Sequence, residues 1–540
     1  MGKSFDAVLR KEVHFGDRLV RCFSERPADT YSLFERALAQ FPAKEAVVAG
    51  ELRLSYRELG KLVEQTAAAF TQMGVQTNDR IGVLLGNRAE YVVALLAALR
   101  IGAVAVPIGT RLVADEIHFL LQHCGARVLV YDSECEATVA ALGPLPRLQH
   151  RVSCPSPGAS IRFDGLPGDT SKLGTRVPAS EEDTAFILYT SGTTGRPKGA
   201  MLTHFNIWHS LRHFELAQRL RPDERSTLAV PGTHVTGLVA IILSMFNVGG
   251  TILVLPIFRA QAFLELAASE RMTHTVLVPA MYNLCLLDPD LARYDLAAWR
   301  LGSYGGAPMP EAAIVDLQAK LPQLFLMNGY GATETTSPAS VTPIGEALAR
   351  RDTIGLPLPC AEVIVVDEHG RARPSGCVGE IWIKGPMVVP GYWEDPQATA
   401  EAFTDGFWHS GDLGFIDTDG YLHLVDRKKD MINRGGYKIY SVEVENVLVQ
   451  HPLVLEAAVV AKPCPVLGER VHAFVSRKHG QLTEGELSAF CAERLADYKH
   501  PDSYTVWEEP LPRNSAGKLL KRNLREQLKH ATTSVLRTSH

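Results

Sequence analysis

Paired cysteines and a charge of one sign are both missing from this chain. Its nine cysteines lie scattered from Cys22 to Cys491 without a C-x-x-C pair. That argues against a disulfide scaffold or a zinc ribbon and suits a reducing compartment, so a cytoplasmic protein is expected. The thiols read as core or incidental. Lysine and arginine (55) nearly balance aspartate and glutamate (60), leaving a formal net charge of −5, so no global field marks nucleic acid or an anionic membrane as a partner. The opening Met1-Gly2-Lys3-Ser4-Phe5-Asp6 has no apolar signal stretch, and Asp6 stands where a myristoylation signal wants Ser or Thr. His209 and His213 are one helical turn apart, as paired metal ligands can be, but no third ligand is suggested and surface imidazoles are expected.

Charge of either sign is absent from Ser226 to Phe258, a length that could cross a bilayer. Pro231, His234, Asn247 and Gly249-Gly250 break the stretch up. A loop, a buried helix (Leu238 to Phe246) and a strand (Thr251 to Leu255) are therefore expected rather than a membrane span. No internal repeat of solenoid length is visible.

What is present points to an α/β protein. A chain of 540 residues allows two to four folding units at roughly 150 residues each. Short apolar runs at Ile81 to Leu85, Ala103 to Val106, Val128 to Tyr131, Phe186 to Tyr189, Ile252 to Leu255 and Thr275 to Val278 alternate with helical patterns, which predicts parallel strands with crossover helices. The helix from about Glu90 to Arg100 is apolar nearly all round and belongs inside. After Gly379 the texture turns to short alternating segments, Glu380 to Lys384 and Tyr421 to Val425, fitting an antiparallel sheet or small barrel. The charge run Asp426 to Asp430 is too polar to be buried and marks a boundary. Beyond it a helix near Ser441 to Gln450 and strands near Ala457 to Ala461 and Val471 to Ser476 make a small α+β unit. The expected domains are thus 1–426, with a β-rich subdomain at about 345–426, and 427–540.

Residues Tyr189 to Gly199 read Tyr-Thr-Ser-Gly-Thr-Thr-Gly-Arg-Pro-Lys-Gly, which suits a phosphate-binding loop. Gly192, Gly195 and Gly199 let backbone N–H groups crowd an anion, Thr190, Ser191, Thr193 and Thr194 add hydroxyls, and Lys198 adds charge. The pattern differs from G-x-x-x-x-G-K-[ST], because Pro197 precedes Lys198 and Gly199 follows it, so ordinary NTPase and kinase readings weaken. A solvated Ser/Thr/Gly turn is the plain alternative. Next, Asn328-Gly329-Tyr330-Gly331-Ala332-Thr333-Glu334 follows the apolar strand Leu324 to Met327 and brings an aromatic ring, a hydroxyl and a carboxylate to one sheet edge. Tyr304-Gly305-Gly306-Ala307-Pro308, Ser410-Gly411-Asp412, Asp426-Arg427 with Gly435-Gly436-Tyr437-Lys438, and Pro512-Arg513-Asn514-Ser515-Ala516-Gly517-Lys518 complete the set.

Together these motifs, from about Tyr31 to Arg525, resemble the adenylate-forming superfamily of acyl- and aryl-CoA synthetases, luciferases and nonribosomal adenylation domains. The resemblance implies an ATP-dependent, AMP-forming acid:CoA ligase. A hydrophobic carboxylate, fatty or aromatic, attacks the α-phosphorus of ATP to give acyl-AMP and pyrophosphate, and the thiol of coenzyme A then takes the acyl group. A ligase loading a phosphopantetheine carrier protein stays open, as does, from another class, a non-catalytic nucleotide-binding protein. The implied roles place Lys518 between carboxylate and α-phosphate, Thr333 on the α-phosphate and Glu334 on Mg2+. Tyr330 stacks on adenine beside Gly305, Gly306 and Ala307, or else is a packed core tyrosine. Asp412 accepts the ribose hydroxyls with Arg427 nearby, or the two are an ordinary ion pair. His234, Thr236, Gly237 and Gly305 line the acyl pocket, with a satisfied core histidine as the alternative at 234. No carboxylate stands between Gly232 and Gly237, where amino-acid-activating relatives keep an Asp. The small domain is implied to rotate about Lys429 after adenylation, replacing the lysine loop by Gly435 and Gly436 at the thiol tunnel, with Lys438 assisting the second half. Oligomeric state is left open, a homodimer included.

Overall fold

The computed structural model describes residues 9–154, 168–190, 196–478, 480–513 and 519–528. Packing divides the chain into two compact units, Met1–Val363 with Trp382–His409, and Ile364–Ile381 with Ser410–His540. These divisions fall earlier in the chain than the 426/427 boundary read from composition. Asp426 itself accepts hydrogen bonds from the Ser441 amide and hydroxyl, and so belongs with the second unit's helix Ser441–Val449.

The first unit holds two parallel sheets. One has six strands in the order Lys198–Thr203, Thr184–Thr190, Val104–Pro107, Arg80–Leu84, Val128–Asp132, His150–Cys154. All its pairings are parallel except the first, an edge hairpin. The other has nine strands, with Phe325–Tyr330, Leu301–Gly305, His274–Leu277, Arg225–Leu228, Thr251–Val254 and Glu45–Ala49 running parallel through its middle. Strands buried on both faces need continuous apolar runs, which is what these segments supply. The helix Ala89–Arg100 has no exposed face, residues Ala89 to Leu99 all being buried, as its uniform apolarity predicts.

The charge-free stretch folds inside the first unit, with one departure from expectation. A π-helix, Thr236–Leu243, precedes a short α-helix, Ser244–Val248, where a single α-helix was expected. Gly237 is pressed against the Pro231 carbonyl, leaving no room for a Cβ, and the Ser244 hydroxyl donates to the Val239 carbonyl at 2.9 Å, an i→i−5 bond that fits the wider turn. Among the described residues no helix is long and apolar enough to cross a membrane.

Two other expectations are corrected. His209 and His213 are not surface imidazoles: both are fully buried in the helix His204–Gln218. His209 bonds the Phe205 carbonyl through Nδ1 (2.8 Å) and accepts the Phe23 amide at Nε2 (3.2 Å), while His213 bonds the Pro359 carbonyl. Burial pushes them down to about 3 and about 4, so they stay neutral and spend their hydrogen bonds on backbone. Nor is the charge run 426–430 wholly solvated, since Asp426 and Asp430 are buried with the partners named here and below. Eight of the nine cysteines are buried and all are free.

The second unit has a five-stranded sheet in which Tyr437–Ile439, Ile432–Arg434, Gly468–Arg477 and Val454–Cys464 are neighbours and Ser503–Trp507 joins Gly468–Arg477 in parallel. The helices Ser441–Val449 and Glu484–Ala492 cover it through Val444, Leu448 and Leu487. Within the same unit residues 412–416 pair antiparallel with the strand Leu422–Arg427, with Asp412 opposite Arg427.

Candidate active site

The phosphate-loop motif sits on the edge hairpin of the six-stranded sheet, where register sets Lys198 opposite Thr190 and Gly199 opposite Tyr189. A Cβ on Gly199 would come within 2.8 Å of Ile187, so this glycine serves hairpin packing. Ser191, Gly192, Thr193, Thr194 and Gly195 lie outside the described residues.

The carboxyl ends of the parallel strands in the nine-stranded sheet carry the Tyr304–Pro308, Asn328–Glu334 and His234 motifs, as expected of open α/β sheets. Tyr330 ends its strand and is partly exposed. Next to it, Gly305 lies opposite Gly329 so closely that a Cβ would stand 2.5 Å from the Gly329 carbonyl. Gly306 (φ +76) has open space around it, and Gly306 and Ala307 are exposed. A 3-10 turn, Thr333–Thr335, then carries Glu334 inward while Thr333 stays partly exposed.

Glu334 is the electrostatic centre of this edge. It is 8% exposed, and burial raises its carboxyl above the ordinary range, against the pull of hydrogen bonds and of Lys198. Tyr392 donates its hydroxyl to Oε1 at 2.9 Å and the Thr190 hydroxyl lies 3.5 Å from the same oxygen. Lys198 does not pair with the carboxylate directly, its ammonium resting 5.1 Å from the centre of the Tyr392 ring. The structure therefore brings Thr190, Lys198, Thr333 and Glu334 together across the two sheets, with Oε2 of Glu334 taking no donor from another described residue. A hard anionic oxygen in a dry setting, flanked by hydroxyls and lacking an ion pair, fits a hard divalent cation such as Mg2+.

The His234 loop follows the strand Arg225–Leu228 at the same sheet edge. Asn87 shapes it: its side-chain amide donates to the carbonyls of Leu228 (3.2 Å), Val230 (3.0 Å) and Leu255 (3.2 Å), and its oxygen accepts the Gly232 amide at 2.8 Å. The Tyr91 hydroxyl donates to the Gly232 carbonyl at 2.7 Å. His234 sits in a recess, where neighbouring chain lowers its imidazole below the ordinary value although its own surface still meets solvent. Thr236 is partly exposed and Gly237 buried.

In the second unit Arg427 Nε stands 3.5 Å from Asp412 Oδ1 on adjoining strands. Lys429 is exposed, and its ammonium is lowered by crowding and by the nearby cations Arg427 and Arg525. Gly435 (φ +59) and Gly436 (φ +97) form the turn between Ile432–Arg434 and Tyr437–Ile439, a left-handed pair that glycine adopts freely. Lys438 pairs with Glu368 at 2.7 Å. Lys518 lies outside the described residues, but its flanks are tied down: Arg513 and Leu519 form a bridge and the Leu520 amide donates to the Pro512 carbonyl at 2.8 Å. Residues 521–528 are helical. Lys521 pairs with Glu445 at 2.6 Å and donates to the Ser441 hydroxyl at 2.7 Å, and Arg525 pairs with Asp430.

Asn87, Tyr91 and Tyr392 escaped the sequence reading. A buried Asn ahead of a helix and a Tyr inside it look like core. Tyr392 follows Pro390-Gly391, a turn signal, but nothing in its spacing announces that it reaches Glu334, 58 residues away.

The family of AMP-binding enzymes matches residues 34–393, and the AMP-binding enzyme C-terminal domain matches residues 443–518. Long-chain-fatty-acid–CoA ligase FadD13 of Mycobacterium tuberculosis is 34% identical over 483 residues, 88% of this chain and 93% of the relative. A feruloyl-CoA synthase of an Amycolatopsis species is 37% identical over 489 residues, 90% of this chain and 96% of the relative. Among solved structures, anthranilate CoA ligase AuaEII in complex with anthranoyl-AMP superposes with a TM-score of 0.86 at 26% identity, covering 94% of this chain and 99% of that one.

Proposed function

We infer the chemistry from one premise: this chain belongs to the AMP-binding enzyme family, and it is an AMP-forming acid:CoA ligase acting on ATP, CoA and a carboxylic acid. The finer assignments that follow are our own reading. The substrate is a hydrophobic monocarboxylate. The loop between Gly232 and Gly237 offers Thr233, His234, Val235 and Thr236 and no charged group for a second polar function, so an uncharged fatty or aromatic body suits it.

Carboxylate and ATP are both anions, and their encounter needs preorganised positive charge. Lys198 and the hydroxyl of Thr190 receive the outer phosphates, together with Ser191, Gly192, Thr193, Thr194 and Gly195. Thr333 donates to the α-phosphate. Glu334, whose Oε2 takes no donor from another described residue, would hold Mg2+, which when bound screens the leaving pyrophosphate. Tyr330 stacks on adenine over Gly305, Gly306 and Ala307, and Asp412 with Arg427 takes the ribose. Lys518 bridges the carboxylate and the α-phosphate during adenylation. Rotation about Lys429 then withdraws that loop and presents Gly435, Gly436 and Lys438 to the CoA arm, beside an acyl group held by His234, Thr236 and Gly237. The domain boundary is read at 426/427 for this motion. A cytoplasmic setting supplies ATP and CoA and keeps the thiols reduced.

One observation carries the reading: a buried carboxylate, Glu334, is held by the neutral hydroxyls of Tyr392 and Thr190 beside Lys198, with no ion pair among the described residues. Pyrophosphate release over a panel of acids, with and without CoA, tests it. A fatty or aromatic acid should release pyrophosphate and, with CoA, yield thioester; an adenylate that CoA leaves untouched would refute the CoA assignment.

A further inference from the structure

We propose that Arg18 is a positioning residue for the Glu334 carboxylate, acting through the peptide segment 388–392. The inference rests on Glu334 serving the magnesium of ATP. Arg18 lies ahead of the residues 34–393 matched by the family, at the start of the second strand of a hairpin, Leu9–His14 with Arg18–Phe23. A two-stranded hairpin is marginal alone. This one is pinned to the first unit by His14 stacked on Phe205, ring centres 3.9 Å apart, and by Val20 and Cys22 against the same ring.

Its guanidinium spans three consecutive carbonyls. Nη1 donates to Val388 (2.9 Å) and Val389 (3.0 Å), and Nη2 to Pro390 (3.4 Å). Buried carbonyls of an irregular segment need partners from somewhere, and a planar fork with several donors serves them where a lysine could not. On its other side the same segment grips Glu334 twice: the Val389 amide donates to the Glu334 carbonyl at 2.9 Å, and Tyr392 donates to Oε1 at 2.9 Å. It is also stitched to the phosphate-loop hairpin, the Met201 amide donating to Gly391 at 3.2 Å and the Trp393 amide to Gly199 at 2.7 Å. Glu334 thus inherits its place from a strap that Asn206 shares with Arg18 at the Val388 carbonyl (3.0 Å), Arg18 alone of the two reaching on to Val389 and Pro390. Arg18 touches no substrate group in this scheme; it fixes where the carboxylate and its hydroxyl partner stand. Burial lowers its pKa to about 10, which still leaves it a cation at neutral pH.

The test uses full-length protein carrying Arg18→Met, which keeps bulk and removes the donors, with Arg18→Lys as a conservative partner and Glu334→Gln as the reference. ATP binding is measured calorimetrically across magnesium concentrations, and thioester formation from supplied acyl-AMP and CoA is measured separately. The expected result is a roughly tenfold rise in the magnesium needed for half-maximal ATP binding in Arg18→Met, a smaller rise in Arg18→Lys, and thioester formation within about twofold of the parent. An unchanged magnesium requirement in Arg18→Met, while Glu334→Gln raises it, would overturn the role of Arg18 alone. If Glu334→Gln also leaves it unchanged, the reading of Glu334 beneath it fails. Equal loss of both activities in Arg18→Met, or failure of that variant to fold together with an unchanged magnesium requirement in Arg18→Lys, reduces Arg18 to a structural residue and overturns the proposal.

Discussion

Glu334 in the first unit and Asp430 in the second are equally secluded, at 8% and 7% exposure, yet hydroxyls hold one and a guanidinium holds the other. Their carboxyls move in opposite directions. Burial raises Glu334, whereas Asp430 is lowered by Lys521, Arg525 and Lys429 despite its burial. A buried acid whose charge is answered inside the fold is spent on structure. A buried acid bonded only by neutral hydroxyls, with a lysine near but not paired to it, is costly to the fold as an anion and suits a cation that arrives. By this measure the first unit leaves Glu334 without an ion pair among the described residues, and the second closes Asp430 and Glu445 on Arg525 and Lys521.

The sharpest way to break this contrast is to neutralise the unmet charge. Glu334→Gln should slow acid-dependent pyrophosphate release by on the order of a thousandfold, about 4 kcal/mol, while unfolding stability holds or rises because a desolvated charge is gone. A loss of stability of several kcal/mol would place Glu334 with the structural acids. The reverse is expected of Lys521→Met. Lys521 and Glu445 have side chains 12% and 16% exposed, and removing one member of such a pair leaves a charge unanswered, destabilising the second unit by about 3 kcal/mol. Denaturant unfolding followed through Trp507 checks this; a transition that does not move would mean the pair contributes nothing.

A milder discriminator is acid. His204, His209, His213 and His274 in the first unit are depressed by burial to about 4, about 3, about 4 and about 3, against His472 alone, at about 4, among the clearly lowered histidines of the second. The unfolded chain takes up a proton at each as pH falls through 6.5, while the folded chain does so only near 3 to 4. Their stabilisation is therefore full above 6.5 and is lost going down, roughly 2 kcal/mol for each fully buried histidine by pH 5. Calorimetry at pH 7 and pH 5 should show the first unit softening more than the second. Equal softening would contradict the burial of neutral imidazoles as the source.

Much of this was legible before any coordinates. Period and composition gave the parallel strands, the sunken helix Ala89–Arg100 and the second small core, because those segments obey local rules. Gly305 and Tyr330 end their parallel strands for a related reason: carboxyl ends of parallel strands point one way. Local rules failed where a tertiary partner decides. His209 and His213 looked solvated because imidazole is polar, and only the Phe205 and Pro359 carbonyls and the Phe23 amide make their burial affordable. Asp426 and Asp430 looked like a charged surface because their partners, Ser441 and Arg525, lie 15 and 95 residues downstream. The π-helical turn Thr236–Leu243 begins where Gly237 lies against the Pro231 carbonyl, a tertiary contact that no periodicity encodes.

The division of labour itself is tested most directly with Lys518→Ala, assayed on the two half-reactions separately. Acid-dependent pyrophosphate release should fall by at least a hundredfold, roughly 3 kcal/mol or more, while thioester formation from supplied acyl-AMP and CoA stays near the parent rate. Equal loss of both half-reactions, or neither, would contradict the assignment of adenylation to a lysine that the second unit delivers.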